Sequence, residues 1–416
     1  MSYSLYLMNL PENFPEILDK LRRLSFQAMG YSSPNPPVAC VITDLKGMIL
    51  AEAHTQRVGE NHAEREAYKL FKEKYKNISE IKHLVFVTLE PCTHFGRTPP
   101  CLDLILEYKP SCVYYGLADP NPLVRKRDGF LECSQRGIRI EQNLEIKKIA
   151  SEFLTGFISR LEKNRPQFFI KSAISREGFY SNSERTRLSL SNIYSNQITQ
   201  MLRAKLDAVI VGPKTVYRDL PRLDFRGFIS NRLEPSLENN ITNFMDCLFY
   251  FSFEKDSLDY HNLHINEYQP YRIFILSLNQ IPEKEFFDAQ SEISMRAKKS
   301  IFVLLDFDEK SDKHASLFQK LSEISLESPE ILLNSQDLYP RLIELFQKYS
   351  LNTVLIEGGN LLYSLFSKNF QERDSIYLIK TNKEIENGLR PEIGLISKKK
   401  KYEKNIDTDT WEVYGE

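Results

Sequence analysis

The chain has 416 residues, 42% hydrophobic and 27% charged, with 55 basic against 56 acidic residues and a formal net charge of -1. That length suits two domains rather than one core, and that composition is globular. The charge balance excludes the basic excess of a nucleic-acid binder, and no run of 18 apolar residues offers a membrane span.

The first twenty residues lack the basic and apolar regions of a signal peptide. Six cysteines in so long a chain do not make a disulfide framework. A cytoplasmic enzyme with reduced thiols is therefore expected. The short run Lys398 to Lys401 reads as a solvated surface patch.

Apolar periodicity predicts a helix over 16–30, ended by Pro34 and Pro36, then a strand over 38–43. A helix over 62–76 and a strand over 84–89 follow. A loop holding Pro91 to Pro100 leads to a helix over 102–107, and strands are expected at 112–116 and 137–140. Ile146, Ile149, Ala150, Phe153, Leu154, Phe157 and Ile158 mark one amphipathic helix. Asn164-Arg165-Pro166 breaks the pattern, so the domains are read as 1–164 and 165–416.

The second half opens with a strand over 168–174, then a helix over 195–205 and a buried strand over 208–211. Residues 227–269 are polar and poorly periodic and read as an insertion or long loop. Strands at 272–277, 301–305, 331–333, 354–356 and 375–379 then alternate with helices at 316–325, 340–349 and 361–366. Both halves read as layered α/β structures.

The strongest chemical signal is His62-Ala63-Glu64, followed by Pro91-Cys92 and, nine residues beyond Cys92, Cys101. One imidazole and two thiolates make a three-ligand site suited to Zn²⁺, with the fourth tetrahedral position left for water. Zinc lowers the pKa of such a water, and Glu64, two residues from the histidine, can shuttle its protons. This is the pattern of the zinc deaminases, although eight residues separate the cysteines here instead of the usual two. The competing reading is a closed structural zinc site with His94 as fourth ligand, which would leave Glu64 without a task.

The run Thr88-Leu89-Glu90-Pro91-Cys92-Thr93-His94-Phe95-Gly96-Arg97-Thr98-Pro99-Pro100-Cys101 resembles the bifunctional deaminase–reductase family of riboflavin biosynthesis. Ser33 to Val41, with Asn35 between two prolines, and Asp119-Pro120-Asn121-Pro122-Leu123-Val124 are similar to two further stretches of that family. Lys171 to Gly178, Leu202 to Val216, Asp219 to Arg226 and Val354 to Gly359 resemble its second half. Departures include Ala39 for a usual glycine, the charged Arg125-Lys126-Arg127, Ser189 for a usual aromatic and Leu220 for a usual aspartate.

The resemblance implies a cytidine-deaminase-like three-layer α/β domain followed by a dihydrofolate-reductase-like one. It implies hydrolytic deamination of a pyrimidine ribose phosphate, then NADPH-dependent reduction of its ribosyl group to a ribityl chain. His62, Cys92 and Cys101 would hold zinc and Glu64 would be catalytic. Asn35, His54, His94, Arg97 and Thr98 would meet the first substrate. Ala173, Ser189, Thr215, Asp219 and Gly359 would meet NADPH, and Arg187, Arg203, Leu223, Arg226 and Glu357 the second substrate, with Lys171 a further polar contact. Arg203 and Arg226 suit a phosphate, which guanidinium forks bind bidentately. A small-molecule partner and a homo-oligomer are expected, without nucleic acid or membrane. Three alternatives stay open: a deaminase whose second half has decayed, a zinc-stabilised binding protein, and a nucleic-acid base deaminase.

Overall fold

The structure, a computed structural model, describes residues 10–96, 98–122, 128–182, 188–228, 241–308, 310–332 and 335–416. The chain divides into two compact units, each with its own sheet.

The first unit runs α1 (Phe14–Ala28), β1 (Ala39–Asp44), β2 (Ile49–His54), α2 (Ala63–Lys74), β3 (His83–Leu89), α3 (Cys101–Tyr108), β4 (Cys112–Leu117), α4 (Gly129–Gln135), β5 (Arg139–Gln142), α5 (Leu144–Phe153) and α6 (Thr155–Lys163). Among the described residues its sheet has five strands in the order β2-β1-β3-β4-β5. β1 is antiparallel to both neighbours, while β3, β4 and β5 are parallel.

Every residue of β3 is buried, as expected for a strand covered on both faces. Cys40, Ile42, Val85, Val87 and Val113 pack with Ala63, Ala67 and Phe71 of α2 and Leu102 and Ile105 of α3. The alternate residue Phe86 stacks on Tyr114 and meets Phe14 of α1. The period of two along the strand thus builds three layers. The single helix expected over 146–158 is two, broken at Leu154, because both segments bury their apolar stripes. β2 escaped the sequence reading because it is short and carries Glu52 amid alanines.

The second unit contains β6 (Gln167–Ile174), β7 (Ser181–Asn182), α7 (Ile193–Lys205), β8 (Ala208–Val211) and α8 (Pro213–Asp219). α9 (Phe244–Phe251), α10 (Lys255–Leu263), β9 (Tyr271–Ser277), α11 (Lys284–Arg296), β10 (Ser300–Leu305) and α12 (Asp312–Ile324) follow. β11 (Glu330–Leu332), α13 (Leu338–Lys348), β12 (Thr353–Ile356), α14 (Asn360–Lys368), β13 (Ser375–Lys380), β14 (Gly388–Leu389), β15 (Lys399–Ile406) and β16 (Asp409–Gly415) complete it. Among the described residues the large sheet has nine strands, β11-β10-β9-β8-β12-β6-β13-β16-β15. It is parallel from β11 to β13 and ends in an antiparallel hairpin.

The basic run belongs to the outer strand of that hairpin, β15, where Lys399, Lys400 and Lys401 are exposed or nearly so. Lysines on an open sheet edge discourage pairing with another chain.

The stretch 227–269 is not one long loop. Its described part forms α9, which buries Met245, Leu248, Phe249 and Phe251, and α10, which buries Leu258 but leaves Leu263 exposed. Residues 241–247 group with the first unit. There Arg22 donates to the Ile241 carbonyl at 3.1 Å, and the Phe244 ring meets Phe26 and Phe153 at 5.7 and 6.0 Å.

Trp411 is the sole tryptophan and fully buried, with Nε1 donating to Ser195 Oγ at 2.9 Å and its ring edge-to-face with Phe249. Trp411→Ala is expected to lower stability by about 3–5 kcal/mol through the cavity and the orphaned hydroxyl. Urea denaturation followed by circular dichroism checks this; a loss under about 1 kcal/mol would show that the site collapses freely.

Candidate active sites

His62 stands at the N-cap of α2 with no capping bond from its side chain, so the imidazole turns toward the loop after β3. There Nδ1 lies 3.6 Å from Cys92 Sγ and 3.5 Å from Cys101 Sγ. Zinc–sulfur and zinc–nitrogen bonds of about 2.3 and 2.05 Å at the tetrahedral angle give a nitrogen–sulfur edge of about 3.6 Å. The donors therefore already sit at the edge length that zinc requires. Among the described residues, these three form the one His, Cys, Asp or Glu group whose ligand atoms all lie within 4.8 Å of one another. His94 is not in it, so the four-ligand structural site is not the arrangement seen.

The start of α3 holds the sulfur. Cys101 N–H donates to Cys92 Sγ at 3.3 Å, and Leu102 N–H to the Cys92 carbonyl at 3.1 Å. Unsatisfied amides at a helix N-terminus favour a thiolate. The hydrogen bond from Cys101 and the facing His62 hold the Cys92 thiol well below its ordinary range.

Glu64, in the first turn of α2, is 4% exposed. Burial first, and the Cys92 sulfur second, push its carboxyl up to about 7. A group there can both take and return a proton near neutrality. Glu64 lines a cavity of about 230 Å³ together with His62, Cys92, Asn35, His94 and Thr98. His94 Nδ1 and Thr98 Oγ1 are buried without a hydrogen-bond partner, so a ligand can satisfy them.

The second unit encloses a larger cavity of about 510 Å³ between the ends of β6, β8 and β12 and the loops that follow. Its charged centre is Glu357, which follows β12. Arg203 of α7 forks onto it, Nε to Oε1 and Nη2 to Oε2, both at 2.7 Å. Burial alone would push Glu357 up, but Arg203, Lys171 and Arg226 outweigh it and hold the carboxyl at about 2. Lys171 of β6 shares this centre; burial lowers its pKa, against the pull of Glu357.

Gly358 and Gly359 make the turn from β12 into α14 with φ of 108° and 90°. A β-carbon at Gly358 would lie 3.2 Å from Thr215 Oγ1, so this turn and the start of α8 approach as closely as glycine allows. Ser172 Oγ also lines the cavity, buried and without a hydrogen-bond partner.

Residues 16–117 match the family model of the cytidine and deoxycytidylate deaminase zinc-binding region. The riboflavin biosynthesis protein RibD of Chlamydia trachomatis is 29% identical over 337 residues, which is 81% of this chain and 76% of that protein. The chain is thus similar to the riboflavin-biosynthesis deaminase–reductase proteins over most of its length. RibD of Actinobacillus pleuropneumoniae is 34% identical over 212 residues, 50% of this chain, and the match spans about half of that relative, 54%. The solved structure of Acinetobacter baumannii RibD, form 1, shares the fold at TM-score 0.70 and 21% identity, over 96% of this chain and 97% of that one. The two units thus share the α/β folds found in that RibD structure.

Asn35, His94 and Thr98 line the first cavity. His54 does not; it ends β2, with Nδ1 3.0 Å from the Thr55 carbonyl oxygen. Arg97 and Arg187 lie outside the described residues, as do residues 123–127 of the charged loop. Ala173, Ser189, Thr215, Asp219, Arg203, Leu223, Arg226 and Glu357 line the second cavity, as does Gly358 in place of Gly359. Arg203 spends its fork on Glu357, which leaves it less suited to a phosphate than expected.

Sequence reasoning quoted Glu90, Asp119 and Asn121 as motif residues but gave them no place in a site. All three line the first cavity. Burial pushes Asp119 up to about 6, although the Asn121 N–H donates to Oδ1 at 2.8 Å. Phe157 lines the same cavity from α6 and carried no signal beyond helix periodicity.

The depressed pKa of Glu357 has a stability consequence. Its carboxyl falls from 4.5 to about 2 on folding, so its contribution is full above pH 4.5 and is lost as pH falls towards 2. Acid titration by circular dichroism should show a component in that window which Glu357→Gln lacks. Glu357→Gln should also destabilise the chain by about 3–5 kcal/mol at neutral pH, because Arg203 and Lys171 lose their buried counter-charge. Identical acid profiles for both proteins would contradict this.

Proposed function

We propose that this chain carries out two successive steps of riboflavin biosynthesis: zinc-dependent deamination of 2,5-diamino-6-(5-phosphoribosylamino)pyrimidin-4(3H)-one, then NADPH-dependent reduction of the ribosyl group to a ribityl chain. The observation that carries the reading is the placement of Glu64 beside three donors at zinc's edge length, on a cavity whose buried polar atoms lack partners.

In the first unit the donor set fits Zn²⁺, which when bound supplies a Lewis acid with an open fourth position. Asn35 offers the pyrimidine both a donor and an acceptor from a position flanked by prolines. Glu64 takes a proton from the attacking water and delivers it to the leaving amine, for which a pKa near 7 is suited. His94 and Thr98 would meet the ribose phosphate, a reading supported by their buried polar atoms without partners.

In the second unit the cavity fits a dinucleotide beside the substrate, with the Gly358-Gly359 turn and Thr215 giving a close backbone approach. NADPH supplies the hydride that sugar C1 receives. The C1–oxygen bond of the ribose ring breaks, and the freed ring oxygen takes a proton. Lys171 Nζ, its pKa lowered by burial, is a suitable source, with Glu357 holding it in place. The intact Lys171–Glu357–Arg203 centre favours an active second unit over a decayed one. A cytoplasmic location and a homo-oligomer complete the proposal. Six buried cysteines outside any disulfide agree with the location, and no helix among the described residues is long and apolar enough to cross a membrane.

Glu64→Gln should abolish ammonia release from the aminopyrimidine ribotide while retaining one zinc per chain, whereas Cys101→Ser should lose both. Zinc content by elemental analysis, with an ammonia assay, distinguishes them; substantial ammonia from Glu64→Gln would remove this residue from the mechanism. Asp219→Ala should weaken reduction about tenfold or more and leave deamination unchanged. Mass spectrometry of products formed with and without NADPH reads both steps. If the wild-type chain stops at the deaminated ribotide in the presence of NADPH, the second activity is absent.

A further inference from the structure

The segment from Leu220 to Phe228 has no regular secondary structure, yet it forms one wall of the second cavity and is held at almost every residue. Leu220 and Leu223 both adopt left-handed backbone, at φ 45° and 58°. Each such residue with a β-carbon costs about 1–2 kcal/mol, so the surroundings must impose it. Gln290 Nε2 donates to the Pro221 and Arg222 carbonyls at 3.1 and 3.4 Å. Gln269 brackets Phe225, accepting from its N–H at 3.2 Å and donating to its carbonyl at 2.7 Å. Gln200 accepts from Arg226 N–H at 3.0 Å.

At the centre of this wall is Asp224, fully buried. Its Oδ2 accepts from Arg222 Nη2 and from Arg296 Nη2, each at 3.3 Å. Arg226 Nε stands 4.0 Å from Oδ1, an oxygen buried without a hydrogen-bond partner. The Asp224 carbonyl accepts from Arg203 Nη1 at 3.4 Å, the same guanidinium that forks onto Glu357. Among the described residues, four arginines line the cavity. Arg203 is committed to Glu357 and Arg218 donates to Ser181 Oγ, while Arg222 forks onto Glu292 at 3.0 and 3.2 Å and also meets Asp224, and Arg226 stands beside Asp224.

A buried carboxylate among arginines is a poor device for stability, since apolar residues of similar volume do as well or better. It is a good device for fixing where guanidinium groups stand. We propose that Asp224 is a positioning residue for the reduction step: it fixes Arg222 and Arg226 at the cavity edge as the site for the anionic group of the ribotide. It does so while keeping Leu223 in the left-handed turn that brings this wall against the substrate. The inference rests on the reductase reading above.

The test compares the full-length wild type, Asp224→Asn and the double variant Asp224→Asn/Arg296→Gln, with the deaminated ribotide and NADPH. Asp224→Asn should raise KM for the ribotide about tenfold, as expected for the loss of a charge-assisted contact network, with kcat and the NADPH Kd within about twofold of wild type. The double variant also removes Arg296, the partner of Asp224 outside the cavity, which would keep only a 3.9 Å contact with Glu292. Its thermal midpoint should recover while the raised KM persists. A wild-type KM in Asp224→Asn overturns the proposal. A KM that returns together with the thermal midpoint in the double variant also overturns it, because charge balance alone would then explain the effect. Absence of any wild-type turnover overturns the reductase reading, and this proposal with it.

Discussion

A soft metal site must bring two sulfurs and an imidazole nitrogen to within about 4 Å of one another, and the packing of the first unit holds its donors together. His62 comes from the start of α2, Cys92 from the loop after β3 and Cys101 from the first residue of α3. α2 and α3 pack on the same face of the sheet, against the same residues of β1, β3 and β4. The helix starts therefore meet above one strand end, and the free amides of α3 steady the Cys92 sulfur. A shift of either helix by one residue would move a donor out of reach.

The same packing gives Glu64 its chemistry. A glutamate in the first turn of an exposed helix would titrate as an ordinary carboxylate. Here the turn is roofed by the cavity wall, and burial beside a sulfur raises the carboxyl to about 7. Local sequence supplies the carboxyl, and its environment sets the pH at which it exchanges protons.

The second unit solves a different problem. Its cavity gathers several cations, and carboxylates stand against some of them. Glu357 takes Arg203 and faces Lys171, and Asp224 takes Arg222 and Arg296. Charges fixed in this way cannot collapse onto one another when the cavity is empty, and they need little rearrangement when an anion enters. The Gly358-Gly359 turn adds close backbone approach, which only residues without a β-carbon permit here.

Much of this was legible in the sequence. The His62, Glu64, Cys92 and Cys101 spacing named the metal chemistry, and strand and helix periodicity gave the layered class of both halves. Periodicity worked because buried parallel strands such as β8 and β12 are uniformly apolar. It failed at α9 and α10, two short helices between polar flanks, and at β15, an edge strand whose lysines face outward. Pairwise geometry was beyond it. Nothing local says that Arg203 closes on Glu357, 154 residues away, or that Arg296, 72 residues away, reaches Asp224. Nor does it say that His54 turns its ring to the backbone while Asp119 and Asn121 face the cavity. Residue type and spacing determine which chemistry a chain can offer. Which groups are buried, paired or presented is decided only when distant segments pack, because burial and counter-charge are properties of the assembled surroundings.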